Sequence, residues 1–155
     1  MAVHVINEAR RCLQCKKPSC RNNGCPVQTN IPEMIRLFLE GNSTEAGEML
    51  FNNNPLSIIC SLVCDHEKQC EGNCILNRKG MPVQISSIEN YISDAYLNHL
   101  CLHRAPRKNQ KAAIIGSGPA GITIAVHLAQ CGYDVTLFES HDQIGGVLRY
   151  GIPDF

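Results

Sequence analysis

The chain of 155 residues has no tryptophan, and aromatic residues make up only 5% of it. A core without large rings must draw stability from elsewhere, and metal ligation is one source. Net charge is also missing: 14 Lys and Arg balance 14 Asp and Glu. There is no block of basic residues and no basic-aromatic interleaving, so nothing points to a nucleic-acid partner. The densest basic stretch, His103 to Lys111, contains Pro106 and reads as a solvated linker. No apolar run reaches the length of a membrane span, so no membrane partner is expected. The N-terminus lacks a basic segment followed by an apolar one, so a cytoplasmic protein is expected.

Cysteine, by contrast, is abundant, with ten residues. In a reducing compartment such thiols persist as metal ligands or catalytic groups, where a secreted chain would make disulfides. Eight fall into two groups of four. The first reads C-x2-C-x4-C-x4-C-P, through Cys12, Cys15, Cys20, Cys25 and Pro26. The second reads C-x3-C-x5-C-x3-C, through Cys60, Cys64, Cys70 and Cys74. Gly and Asn among the spacers permit the unusual backbone angles of a chain curling round a cluster. Only Cys12 and Cys15 form the C-x2-C knuckle common in zinc sites. The wider spacings, and the Pro after the fourth Cys, fit iron–sulfur ligation better. Cys20 and Cys25 are separated by no more than about 17 Å of chain, so clusters held by each would be neighbours.

Beyond Pro26 the pattern turns helical. A helix is predicted from Asn30 or Ile31, with Pro32 in its first turn and Gly41 as its stop. Asn42-Ser43-Thr44-Glu45 resembles a capping box that opens a second helix, ending at Asn52-Asn53-Asn54-Pro55. A third begins near Ser86, with Ile85, Ile88, Ile92 and Ala95 on one buried face. Ser86 to Glu89 itself has the form of a capping box.

The periodicity changes at residue 111. A short apolar strand, Lys111 to Ile115, runs into Gly116-Ser117-Gly118-Pro119-Ala120-Gly121. A helix follows, closed by Gly132, then a strand from Val135 to Phe138 ending at Glu139. Strand, glycine turn, helix, strand and acid at this spacing mark a dinucleotide fold. Gly116 makes the tight turn, Gly118 admits a pyrophosphate, and Gly121 lets helix and strand pack closely. The helix N-terminus offers amides and a positive dipole end to phosphate. Glu139 is placed to accept hydrogen bonds from a ribose hydroxyl.

These motifs, in this order, identify a resemblance to the N-terminal region of the glutamate synthase small subunit. The same group includes the NADPH-binding part of dihydropyrimidine dehydrogenase and the flavoprotein subunit of NADH-dependent ferredoxin:NADP oxidoreductase. It is carried by Ala9 to Cys15, Gly24-Cys25-Pro26, Cys70-Glu71-Gly72-Asn73-Cys74, Ile114 to Gly121 and Gly145 to Pro153. The resemblance implies an α-helical, ferredoxin-like domain with two [4Fe-4S] clusters, then the first β-α-β of a Rossmann-type FAD-binding domain. It implies crossed ligation. One cluster takes Cys12, Cys15, Cys20 and Cys74; the other takes Cys25, Cys64, Cys70 and Glu89. It also implies FAD at Gly116, Gly118, Pro119, Ala120 and Gly121, with Glu139 on the ribose and Gly145 and Gly146 near the cofactor. NAD(P)H would bind in a domain this chain does not contain.

The expected organisation is a helical iron–sulfur domain over 1–105, a linker over 106–110, and an incomplete dinucleotide fold over 111–155. Two strands and one helix cannot cover both faces of a sheet, so the chain reads as a piece of a longer or split protein. The expected function is electron transfer between FAD and a larger catalytic subunit or domain, glutamate synthase-like or ferredoxin-linked, within an oxidoreductase that the chain alone does not complete. Two alternatives are a zinc-stabilised interaction domain and a stand-alone ferredoxin-like carrier. Glu89 has a simpler role open to it, as a helix cap. Cys60, Cys101 and Cys131 have no ligand role; Cys60 reads as a small buried hydrophobe and Cys131 as helix packing.

Overall fold

The computed structural model describes residues 2–99 and 105–152; Cys101, His103, Arg104 and Pro153 lie outside the described residues. The chain divides into two compact units, Met1–Leu100 and Cys101–Phe155.

Among its described residues the first unit holds five α-helices: α1 (Ala2–Arg10), α2 (Ile31–Leu39), α3 (Ser43–Asn53), α4 (Ser57–Val63) and α5 (Ile85–Asn98). Between them lie a wide π-type turn over Cys20–Gly24 and a 3-10 turn over Ile75–Lys79. Val5 and Ala9 of α1 lie one turn apart and are buried, as helical spacing requires. Against them pack Ile31, Met34, Ile35 and Phe38 of α2, Ala46 and Leu50 of α3, and Ile85, Ile88 and Ile92 of α5. The face predicted for α5 is therefore the buried one, with Ala95 at its half-buried end. The scarce aromatics stand where helices meet. Phe38 of α2 meets Tyr91 of α5 edge-on at 5.7 Å, and Phe51 of α3 lies 5.9 Å from Tyr96 of α5.

Gly41 ends α2 as predicted. Its φ is +84°, and the following amide, Asn42 N–H, reaches back to the Leu37 carbonyl at 2.9 Å. The helix predicted from Ser43 is present, but its Asn42 cap makes no side-chain capping bond. Asn42 closes α2 with its backbone instead.

The second unit contains β1 (Lys111–Ile115), α6 (Pro119–Gln130), β2 (Asp134–Phe138) and a short α7 (Val147–Tyr150). The strands pair in parallel, from Lys111 opposite Asp134 to Ile115 opposite Phe138. Helix α6 packs on both strands. The register partners Ile115 and Phe138 remain 92% and 55% exposed, so within this unit the sheet is covered on one side only. Residues 106–110, expected as linker, and Ala105 before them are bonded to this unit. Ala105 N–H donates to Gln130, Lys108 N–H to Gly132, and Gln110 accepts from Asp134 N–H, each at 2.9 Å. Arg107 adds a paired contact to Asp134, the shorter arm 2.6 Å. Among the described residues no helix is long and apolar enough to cross a membrane.

Candidate metal centre and nucleotide loop

The two cysteine groups are far apart in sequence but interleave in the first unit. The end of α1 is fixed by Arg11, whose guanidinium donates to Glu8 at 2.7 Å and to the Pro82 and Met81 carbonyls at 3.1 and 2.6 Å. Cys12 follows directly. Cys20 opens the π-type turn, and Cys25 closes it by donating its N–H to the Cys20 carbonyl at 2.9 Å. Gly24, buried in that turn, lies on the backbone of the second group. A Cβ there would stand 2.7 Å from the Gln69 oxygen and 2.9 Å from the Cys70 Cα. No side chain fits, and the first cysteine loop is thereby seated on the second.

This seating sorts the thiols into two sets. Burial pushes the Cys20 thiol up to about 11, the Arg21 amide opposes this, and Cys74, Cys12 and Cys15 add to the rise. Cys12 is also raised, chiefly by burial, with Cys15 and Cys74 contributing. Cys12, Cys15, Cys20 and Cys74 are thus electrostatic neighbours. In the other set, burial raises Cys64 to about 12, with Cys60, Glu89 and Cys25 adding to the effect. Burial raises Cys70 to about 12 as well, with Glu71, Glu89 and Cys25 contributing. Cys25, Cys64, Cys70 and Glu89 are therefore gathered together, with Cys60 beside Cys64.

Helix α4 brings Cys64 to α5. Ser57 and Ser93 share a buried hydroxyl–hydroxyl bond at 3.0 Å, and Asn90 donates to Ser61 at 3.0 Å. Cys64 caps the C-terminus of α4. Glu89 on α5 is 9% exposed, and its burial raises the carboxyl to about 7. The capping box open to Glu89 from sequence does not form. Helix α5 begins at Ile85 with Gln84 as its N-cap, so Glu89 lies in the fifth helical position, too deep to cap. The N–H and hydroxyl of Ser86 donate to Glu71 instead, at 2.8 and 2.7 Å.

The donor set suits a soft metal cluster. Three or four partly buried thiols per set, whose protons a metal can displace, match iron–sulfur ligation. Among the described residues no three His, Cys, Asp or Glu side chains close on one point tightly enough for a single ion.

In the second unit the glycine turn has the geometry its spacing predicts. Gly116 has φ +93° and its N–H bonds the Phe138 carbonyl at 2.8 Å. A side chain at Gly121 would collide with the Gly116 carbonyl, so α6 and β1 approach through that hydrogen. Gly118 caps α6, Pro119 occupies the first helical position and Ala120 the second. No atom lies within 4 Å of a Cβ built on Gly118. The first-turn amides of α6 have no partner within the helix. Gly145 and Gly146 come back to the same turn, and a Cβ on Gly146 would sit 3.0 Å from the Gly118 Cα.

Glu139 lies at the end of β2 and is tied to the turn. One oxygen accepts from Ser117 N–H at 2.9 Å and from the Ser117 hydroxyl. The other accepts from Ser140 N–H, His141 N–H and His141 Nδ1 at 2.8, 3.0 and 2.9 Å. The Ser117 hydroxyl, then His141 and the Ser117 amide, hold its carboxyl well below the usual carboxylate range. Ser117, fully buried, also accepts from Gly145 N–H at 3.1 Å on its hydroxyl oxygen. The sequence gives no sign of this role, because the second position of a glycine turn accepts many residue types. Thr29 beside Cys25 likewise carries no signal in the sequence, and Asn53 and Asn54 read only as the end of a helix. Cys131 is exposed at the end of α6, not packed as expected.

A helical unit that interleaves two cysteine groups, followed by a strand, glycine turn, helix and strand, defines an iron–sulfur module joined to the start of a nucleotide-binding fold. The chain belongs to the family described as dihydropyrimidine dehydrogenase domain II, 4Fe-4S cluster, whose model matches residues 2–100. Residues 114–151 match the NAD(P)-binding Rossmann-like domain. Among similar proteins, the glutamate synthase [NADPH] small chain of Escherichia coli is 38% identical over 96% of this chain and 32% of its own length. The protein of the same name from Mycobacterium tuberculosis is 41% identical over 96% of this chain and 30% of its own. The NAD-dependent dihydropyrimidine dehydrogenase subunit PreT of Salmonella typhimurium is 38% identical over 97% and 37%. The chain thus spans about a third of the length of these relatives.

Proposed function

We propose that the chain is the electron-transfer portion of an NAD(P)H-dependent flavin and iron–sulfur oxidoreductase, with two [4Fe-4S] clusters in the first unit and FAD at the glycine turn of the second. What carries the reading is the crossed gathering of donors. Cys12 and Cys20 each have Cys15 and Cys74 as electrostatic neighbours, while Cys64 and Cys70 each have Cys25 and Glu89. Cys12, Cys15, Cys20 and Cys74 hold one cluster; Cys25, Cys64, Cys70 and Glu89 hold the other. Bound clusters supply one-electron transfer, and a bound flavin exchanges electron pairs for single electrons.

The chain's own residues bind, orient and tune. The two sets share the Cys20–Cys25 turn, which keeps both centres within a short span of backbone. A carboxylate in place of a thiolate at Glu89 gives the second set a harder oxygen donor, which distinguishes its potential from that of the first. At the nucleotide, Gly118 leaves room for the pyrophosphate and Gly121 fixes the helix end that faces it. Glu139, held ionised, accepts from ribose hydroxyls and repels a 2′-phosphate, which favours FAD or NAD(H) over NADP(H) at this turn. The longer relatives suggest what lies beyond: a nicotinamide site on the rest of the protein, and a larger subunit or domain that takes the electrons, glutamate synthase-like or ferredoxin-linked.

The test is iron, sulfide and zinc content with a visible spectrum on chain purified without oxygen. About eight irons per chain and a broad band near 400 nm are expected of two four-iron clusters. Zinc without colour would overturn the redox reading in favour of a structural zinc module. FAD retention by a version carrying the complete nucleotide domain separates the flavin-linked reading from a stand-alone carrier.

A further inference from the structure

Two consecutive asparagines at the C-terminal end of α3 each hold a proton donor beside a cysteine of the same set. Asn53 Nδ2 donates to Thr29 Oγ1 at 3.2 Å. The protonated Cys25 thiol donates to that hydroxyl at 3.4 Å, and Thr29 N–H donates to the same sulfur at 3.4 Å. Asn54 Nδ2 donates to Cys60 Sγ at 3.2 Å. Cys60 lies one helical turn before Cys64, whose N–H donates to the Cys60 carbonyl at 3.0 Å, and the two thiols are electrostatic neighbours.

The polarity of the Asn54 chain is fixed, and that of the Thr29 chain reverses when Cys25 loses its proton. Asn54 Oδ1 accepts from Leu56 N–H at 3.1 Å, so the amide must present its NH2 to Cys60. The Cys60 sulfur is then an acceptor towards Asn54, and its own proton is free to point at Cys64. Once Cys64 is a metal-bound thiolate it has no proton to give, and Cys60 alone can be the donor. The same holds at Thr29. Its oxygen accepts from Asn53, and with Cys25 ionised its hydroxyl proton turns to that sulfur.

We propose that Thr29 and Cys60, oriented by Asn53 and Asn54, are positioning residues that donate hydrogen bonds to the Cys25 and Cys64 sulfurs and raise the reduction potential of the cluster held by Cys25, Cys64, Cys70 and Glu89. The inference rests on the two-cluster reading above. Its physical basis is charge. Three thiolates and a carboxylate make an all-anionic ligand set, and reduction adds a further negative charge to it. Donors aimed at the sulfurs stabilise the reduced form more than the oxidised one. Buried Thr29 and half-buried Cys60 make these bonds away from bulk water, where they count for more.

The test is a redox titration followed by electron paramagnetic resonance, on anaerobically purified chain and its variants. Thr29→Val keeps the shape and the backbone donor but removes the hydroxyl; Cys60→Ala removes the thiol. Each is expected to keep about eight irons, as two four-iron clusters require. Each shifts the second cluster's equilibrium about tenfold toward the oxidised form, about 59 mV for one electron. The first cluster does not move, and Thr29→Ser restores the parent potential. Unchanged potentials in Thr29→Val and Cys60→Ala overturn the proposal. So does loss of four irons in Cys60→Ala, which makes Cys60 a ligand. Failure of the underlying reading shows separately, as an unsubstituted chain with too little iron for two clusters.

Discussion

Glu139 and Ser117 are joined twice through one carboxylate oxygen, which takes both the amide and the hydroxyl proton of the serine. The acid at the end of β2 is thereby locked to the glycine turn at the end of β1. Because these bonds favour the charged form, the folded carboxyl titrates below its ordinary value of 4.5. A depressed acid contributes stability that is fully present above the unfolded value and is lost as pH falls from there through the lower folded value. We expect the Glu139 carboxyl, followed by carbon NMR, to remain ionised at pH 4. Ser117→Ala should return it toward 4.5 and flatten the acid dependence of the second unit's stability. A carboxyl that already titrates normally in the parent would contradict the lock.

Gly118 and Gly121 are three residues apart and should respond to alanine in opposite ways. At Gly121 the added methyl meets the Gly116 carbonyl, so α6 must lift off β1. We expect a loss of about 1–3 kcal/mol, typical of overpacking, read by thermal unfolding. At Gly118 the methyl enters open space. Gly118→Ala should leave stability within about 1 kcal/mol, close to the helix-cap difference between Gly and Ala, yet weaken FAD binding in a version with the complete nucleotide domain. Equal stability in the two variants would mean the close approach at Gly121 is not under strain.

How much of this was legible beforehand differs between the units. The β-α-β, its glycines and Glu139 could be read from the sequence because each rests on local backbone geometry. The buried face of α5 was legible for the same reason, through Ile85, Ile88 and Ile92. Helices α1 and α4 were not read. Helix α1 buries little beyond Val5 and Ala9, and α4 is only seven residues long and overlaps the second cysteine group. The capping of α5 by Glu71 was invisible because it joins residues 15 apart through a tertiary contact. Resemblance, not spacing, supplied the crossed cysteine sets, since no local rule says which loop Gly24 will rest on. The segment at 106–110 reads as a linker because the bonds of Lys108 and Gln110 to Gly132 and Asp134 depend on the fold that follows it.

Glu89 is buried on α5 beside Cys64 and Cys70, and the capping role is taken by Glu71. Removing the carboxylate should therefore act on the metal and not on the helix. We expect Glu89→Ala to leave the first cluster intact and either to cost the second its iron or to change its potential. Helix content by circular dichroism should hold. A variant with unaltered iron and potentials would show that the carboxylate is no ligand.

Gly24 and Cys70 offer the sharpest contrast, because they touch yet act on the clusters differently. Cys70 belongs to one set of donors, so Cys70→Ala should remove one cluster, leaving about four irons, as expected for a single [4Fe-4S] centre. Gly24 belongs to neither set but lies between Cys20 and Cys25, one from each. A methyl on it would press within 2.7 Å of the Gln69 carbonyl and 2.9 Å of the Cys70 Cα, both backbone atoms that cannot swing away. The turn must back off, carrying Cys20 away from Cys74 and Cys25 away from Cys64 and Cys70. We therefore expect Gly24→Ala to deplete both clusters together, with iron falling below the level of Cys70→Ala, although no ligand has changed. If Gly24→Ala keeps about eight irons, the full complement of two four-iron clusters, the two cysteine groups are not seated on each other through this residue.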